Sequence, residues 1–164
     1  MSKFPPVIIG IKPSKMLPEE VGLFALRPLK IGTIINKAFN GGERFYSKKV
    51  YKKLDKITKE RVDSFCTGVQ KGFFSVPDLN CMPISWYCNH SCEPNAGFDQ
   101  KGNIVLIKNV KAGDEIVYDY GFAETNPEFI LHCSCGSKNC RKIITGNDWK
   151  NPEYFKKNKK YMNV

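Results

Sequence analysis

The chain has 164 residues and a formal net charge of +10, from 26 lysines and arginines against 16 aspartates and glutamates. That length suits one domain with a buried core and is short for two, and 41% hydrophobic residues exclude a disordered tail. No apolar run approaches the roughly 20 residues of a membrane helix, and no signal-peptide pattern opens the chain, so an intracellular protein without a membrane partner is expected.

In a reducing compartment, 7 cysteines point to metal binding and buried thiols rather than disulfides. The positive charge suits an acidic partner, such as nucleic acid, nucleosomes or an acidic protein, and equally a lysine-rich protein kept soluble.

Residues 7–11, an apolar run, read as a strand, as do 21–26 and the β-branched 33–35 after a turn at Lys30-Ile31-Gly32. Asn40-Gly41-Gly42 breaks the pattern. Over residues 47–65, Val50, Leu54, Ile57, Arg61 and Phe65 recur at steps of three or four, which predicts an amphipathic helix capped by Ser47 and interrupted near Thr58. Its lysine-rich face reads as solvated.

Residues 72–83 hold prolines and an Asp-Leu-Asn turn and read as irregular. A hairpin is expected over 98–107 with its turn at 100–103, then a turn at 111–114 and a last strand over 116–120. No internal repeat is evident. Many short strands, one helix and long loops make a mainly β (α+β) fold.

Three segments carry chemistry. Residues 86–95 crowd aromatics, two thiols, an imidazole and two amides into a turn-rich stretch ending Cys92-Glu93-Pro94-Asn95. Residues 114–121 hold the pair Tyr118 and Tyr120. Cys133, Cys135 and Cys140 have the spacing C-x-C-x4-C, three thiolates able to converge on one tetrahedral ion. A structural zinc needs a fourth ligand, and Cys92, Cys88, His90 and His132 are all candidates; an iron–sulfur cluster would also take such thiolates.

Asn89-His90-Ser91-Cys92-Glu93-Pro94-Asn95, followed by Gly113-Asp114-Glu115-Ile116-Val117-Tyr118-Asp119-Tyr120-Gly121 and then Cys-x-Cys-x4-Cys-Arg, resembles the SET-domain protein lysine methyltransferases with a cysteine-rich post-SET segment. The resemblance extends upstream to Gly22-Leu23-Phe24-Ala25. It implies small sheets wrapped around a C-terminal pseudoknot, a β-clip-like fold. It also implies a SET domain over 5–124, then a zinc-bound post-SET segment and basic aromatic tail over 125–164.

The resemblance further implies an S-adenosylmethionine-dependent enzyme that methylates the ε-amine of a lysine in a protein or peptide, a histone being one candidate. Residue by residue, Tyr120 would be the catalytic tyrosine, and Tyr118 would limit the number of methyl groups, favouring one. Val21, Gly22, Leu23, Phe24, Asn89, His90, Tyr120, Cys135 and Trp149 would line the cofactor site. Cys92 would complete a structural zinc site with Cys133, Cys135 and Cys140, leaving Cys66, Cys81 and Cys88 as buried thiols. The location would be cytoplasmic in a bacterium, or nuclear or chromosomal in a eukaryote or virus, where proximity to nucleic acid would be indirect.

Glu20 departs from the family pattern, which has glycine there. That departure motivates an alternative, a catalytically silent SET-like module that holds a peptide. A zinc-stabilised nucleic-acid-binding protein is a third reading, but the chain lacks interleaved basic and aromatic motifs.

Overall fold

The computed structural model describes residues 5–38 and 43–164. The break expected at Asn40-Gly41-Gly42 therefore lies outside the described residues. The main sheet runs β1 (Ile9–Pro13), β2 (Val21–Ala25), β10 (Glu115–Tyr118), β8 (Ala96–Phe98), β9 (Ile104–Leu106), β3 (Ile34–Asn36), and β7 (Asn89–His90) also pairs with β10. A second sheet has the order β4 (Arg44–Ser47), β6 (Gly72–Ser75), β5 (Thr67–Val69), and β11 (Ile130–His132) pairs with β12 (Ile143–Thr145). The helices are α1 (Lys48–Lys52), α2 (Lys56–Phe65) and α3 (Pro152–Asn158), with 3₁₀ turns between strands. The architecture is mostly β, in small sheets. Among the described residues no helix is long and apolar enough to cross a membrane.

The core forms along the main sheet, where β10 joins β2 on one side to the β8–β9 hairpin on the other. Leu23, Ala25, Ala96, Leu106 and Ile116 are essentially sealed from solvent there, together with Cys88. The β8–β9 hairpin turns within the expected residues. Gly102 has φ +76°, a left-handed geometry that costs glycine little, and Asp99 accepts the backbone N–H groups of Lys101 and Asn103.

The segment after β7 is laced along β10. Ser91 N–H donates to the Tyr118 carbonyl and Asn95 N–H to the Val117 carbonyl. The Asn95 side chain closes both ends, its amide donating to Glu115 O and its oxygen accepting Val117 N–H. Thus two stretches distant in sequence run parallel at the foot of the site, with Tyr118 beside His90 and Ala96.

Several elements differ from the sequence reading. The single helix is two: Asp55 accepts the Thr58 N–H and starts α2 afresh, three residues before the break expected at Thr58. Ser47 occupies the first cap position but makes no capping bond with its side chain.

Residues 72–75 are not irregular. β6 is the centre of the second sheet, held by β4 and β5 on either side and by stacked Tyr46 and Phe73 rings. β10 ends at Tyr118, and Tyr120 begins a 3₁₀ turn capped by Asp119, so the two tyrosines do not share a strand face. Cys81 is exposed and Cys66 only half-buried; of the three thiols expected to be buried, only Cys88 is. The basic tail carries α3, capped by Asn151 with Pro152 at its first position.

Candidate functional site

The four thiols of Cys92, Cys133, Cys135 and Cys140 lie within 4.8 Å of one another. Their backbone surroundings favour sulfur as an acceptor. Arg141 N–H donates to Cys92 Sγ at 3.4 Å and Cys135 N–H to Cys133 Sγ at 3.5 Å. Burial pushes the Cys92 thiol up to about 11. At Cys135 burial also acts upward, but hydrogen bonds led by that of Ser137 hold it down to about 6. All-sulfur donors converging at this spacing, with N–H groups behind them, are the donor chemistry of a closed zinc site. Of the other proposed fourth ligands, Cys88 is turned away, its thiol 3.1 Å from the Ile116 carbonyl.

His90 links this cluster to the tyrosines. Its Nδ1 accepts the Tyr120 N–H at 3.1 Å, so the proton sits on Nε2, which lies 3.4 Å from Cys92 Sγ. Burial lowers its pKa to about 4, against the opposing pull of Asp119, and keeps the ring neutral. Tyr120 stacks its edge on His90 with centroids 5.3 Å apart, and Tyr118 lies 5.0 Å from Tyr120. The Tyr120 hydroxyl donates to the Cys88 carbonyl at 3.4 Å. Burial raises both tyrosine pKa values, so both hydroxyls stay protonated donors. Glu20 adds to that upward push on Tyr120.

The first expected cofactor segment is pinned by a residue the sequence reading gave no role. Glu115 is buried and accepts the Ser14 hydroxyl, the Lys15 N–H and the Asn89 amide, each at about 3 Å. The same Asn89 amide donates to the Val21 carbonyl. A Cβ at Gly22 would collide with the Glu115 carboxylate, which explains the glycine. Leu23 and Phe24 point into the protein and Val21 is the exposed side chain of the segment, so its open surface is Val21 and backbone. The Asn89 side chain is committed to the fold.

Asp119 and Arg141 are also central. Asp119, 2% exposed, accepts both guanidinium arms of Arg141, Nη2 at 2.7 Å, and Arg141 reaches Asp148 at 3.3 Å and the Tyr154 ring face at 4.7 Å. Arg141 directly follows Cys140, so this clamp ties the thiol cluster to the residue between the two tyrosines. A buried acid inside the tyrosine motif and an arginine abutting the cysteines were the available signals. Trp149 lies on a separate 3₁₀ turn, its indole N–H donating to Gly146 O and Lys150 over its ring.

Tyr118 lines a cavity of about 370 Å³ between the main sheet and the second sheet. A second cavity of similar volume lies between α2 and the loop at 76–80, remote from the tyrosines in the fold.

A SET-domain family model matches residues 20–121. The chain is 31% identical over 142 residues to histone-lysine N-methyltransferase 2D of Homo sapiens, covering 74% of this chain and 2% of that protein. It is 36% identical over 86 residues to methyltransferase flvH of Aspergillus flavus, covering 49% and 46%. It is also 32% identical over 95 residues to a histone-lysine N-methyltransferase, H3 lysine-36 specific, of Debaryomyces hansenii, covering 51% and 11%. The chain thus spans less than half the length of each of these curated relatives.

Proposed function

Since this chain belongs to the SET-domain family, we propose that it is an S-adenosylmethionine-dependent protein-lysine N-methyltransferase that adds one methyl group to a lysine of a basic protein, a histone being one candidate. The observation that carries the reading is the pair Tyr118 and Tyr120. Their ring centroids lie 5.0 Å apart, Tyr118 lines a cavity large enough for a side chain, and Tyr120 is backed by His90.

S-adenosylmethionine, when bound, supplies a methyl group on a sulfonium. Val21, the backbone of 22–24, Asn89, His90, Cys135 and Trp149 would line its site. The loop before β2 fits that role, because Glu115 and Asn89 hold it rigid. Cys92, Cys133, Cys135 and Cys140 would hold zinc as a structural crosslink, since four thiolates leave no open position.

The rest is work for this chain's own residues. A lysine in water has a pKa near 10.4, so it reaches the site charged. A cavity walled by Phe98, Ile104 and Tyr118 disfavours the ammonium by desolvation. The amine then gives its proton to water, and its alignment for in-line attack can supply several kcal/mol of the barrier. The neutral Tyr120 hydroxyl and the Cys88 carbonyl beside it orient the reacting end. The Tyr118 hydroxyl occupies room that a second methyl would need.

The test is transfer of a labelled methyl group onto lysine-bearing proteins, read by mass spectrometry. Tyr120→Phe should lower transfer about a hundredfold or more with cofactor binding retained. Tyr118→Phe should move the product from mono- toward dimethyl-lysine. Cofactor binding without transfer to any lysine would leave the silent peptide-holding module as the better reading.

A further inference from the structure

The cavity that ends at Tyr118 is larger than one lysine needs. At about 370 Å³ it would hold about a dozen waters, well beyond four methylenes and an ammonium. Its lining away from Tyr118 is also not that of a simple apolar channel. Glu43, the residue before β4, lines it half-buried alongside Trp86, and among the described residues no cation pairs with it. Ser85 lines it too, at 4% exposure, and among the described residues its hydroxyl has no hydrogen-bond partner. A buried hydroxyl without a partner is costly and marks a place where a ligand atom would complete the bond. Trp86 and Phe74 add aromatic surface. Lys101, at the exposed hairpin tip, is the cation of the rim.

A desolvated carboxylate, a waiting hydroxyl and aromatic walls are complementary to one chemical class, a basic side chain with several N–H donors. From this we infer that Glu43 and Ser85 form a specificity subsite for an arginine or lysine flanking the methylated lysine in the substrate. The inference rests on the methyltransferase reading and adds to it a substrate class: acceptor lysines with a basic neighbour. Burial already raises the Glu43 pKa, so the carboxylate gains from a cation that replaces its lost water. It also offers a local acidic spot through which a protein of net charge +10 accepts a basic peptide.

The experiment uses the full chain and alanine-based peptides with one central lysine, carrying arginine, lysine, norleucine or glutamate at each flanking position in turn. Binding is read by fluorescence anisotropy and transfer by mass spectrometry. For the wild type, a basic residue at one flanking position should tighten binding and lower KM about tenfold over norleucine, with kcat little changed. Glu43→Gln keeps the side chain's size and removes the charge. It should reduce that preference to less than about twofold while leaving turnover of the alanine-flanked peptide near wild type. Ser85→Ala should cut the arginine preference by a smaller factor.

A wild type indifferent to flanking charge, or a Glu43→Gln variant that keeps the full preference, would overturn the subsite. Absence of transfer to every peptide, with a basic-flank binding preference that Glu43→Gln removes, would overturn the methyltransferase reading and leave the subsite standing.

Discussion

Two regions of the molecule meet at the Tyr118 cavity, and they are held by different means. Around β10 the tying bonds join residues far apart in sequence: Ser14 and Asn89 to Glu115, Tyr120 to His90, Arg141 to Asp119. The second sheet with α1 and α2 is held mostly by neighbours. Asp55 caps its own helix, Tyr51 reaches Asp63, Ser64 bonds back to Glu60, and Val62 is the one buried residue of the two helices. Its polar links to the rest gather at Gly68, whose N–H donates to the Glu124 carboxylate and whose carbonyl accepts the Thr125 and Asn126 N–H groups, and at the Lys48–Glu128 ion pair. The reacting end therefore sits on the region fixed by long-range polar bonds, while the lysine-rich region supplies a wall.

The largest effect should follow from breaking the thiol cluster. A structural zinc contributes about 10 kcal/mol, comparable to a whole domain's stability. Strong chelation, or Cys133→Ser, should strip amide-exchange protection from β11, β12 and α3 and abolish transfer. The β4–β6–β5 sheet should keep most of its protection. Equal loss in both regions would erase the distinction, and a purified protein without bound metal whose stability is indifferent to chelators would show the thiols to be a free cluster.

Next comes the clamp. Removing one partner of a buried pair leaves an uncompensated charge, so Arg141→Gln should cost roughly 3–5 kcal/mol in denaturant unfolding. Asp119→Asn in the same chain should restore part of that loss, because the orphaned carboxylate is then gone. If Arg141→Gln unfolds at the wild-type midpoint, the clamp does not stabilise the site region.

What could be read from the sequence follows the same division. The thiol spacing, the tyrosine pair and the hairpin turn at Gly102 are encoded in adjacent residues, and each stands where its local chemistry puts it. Asp119 and Glu115 were in plain view within the tyrosine motif, but only the fold shows that each is buried against a partner 22 to 101 residues away. The second sheet was missed because β4, β5 and β6 are three or four residues long, too short for an alternating pattern to declare itself. The helix break was misplaced because Thr58 looked like a start, when it is the residue whose N–H and hydroxyl Asp55 accepts.

The joint between the regions should be sensitive to pH. Glu124, 7% exposed, accepts the Gly68 and Asn126 N–H groups, and burial raises its pKa from 4.5 to about 7. A carboxyl with a raised folded-state pKa contributes full stability below its unfolded value and loses it as pH climbs through the folded value. Relative to Glu124→Gln, the wild type should therefore lose stability between about pH 4.5 and 7 and then level off, by at most about 3 kcal/mol because the two N–H donors favour the charged form. Thermal melts of both chains across that range measure the difference; parallel curves would mean that the joint does not titrate.

The smallest expected effect lies in the locally held region and is the sharpest check on the contrast. Asp55 accepts the Thr58 N–H at 3.0 Å and its hydroxyl at 2.6 Å, whereas Ser47 holds the corresponding position of α1 with no capping bond from its side chain. Asp55→Ala should lower the melting midpoint by about 2–4 °C, and Ser47→Ala should leave it unmoved. Neither should change transfer to an alanine-flanked peptide, since the hydrogen bonds of both helices, apart from the exposed Lys48–Glu128 pair, stay within their own region. If Asp55→Ala impairs transfer as severely as Arg141→Gln, the helices are coupled to the tyrosines by contacts other than those at Gly68 and Lys48, and the two regions act as one.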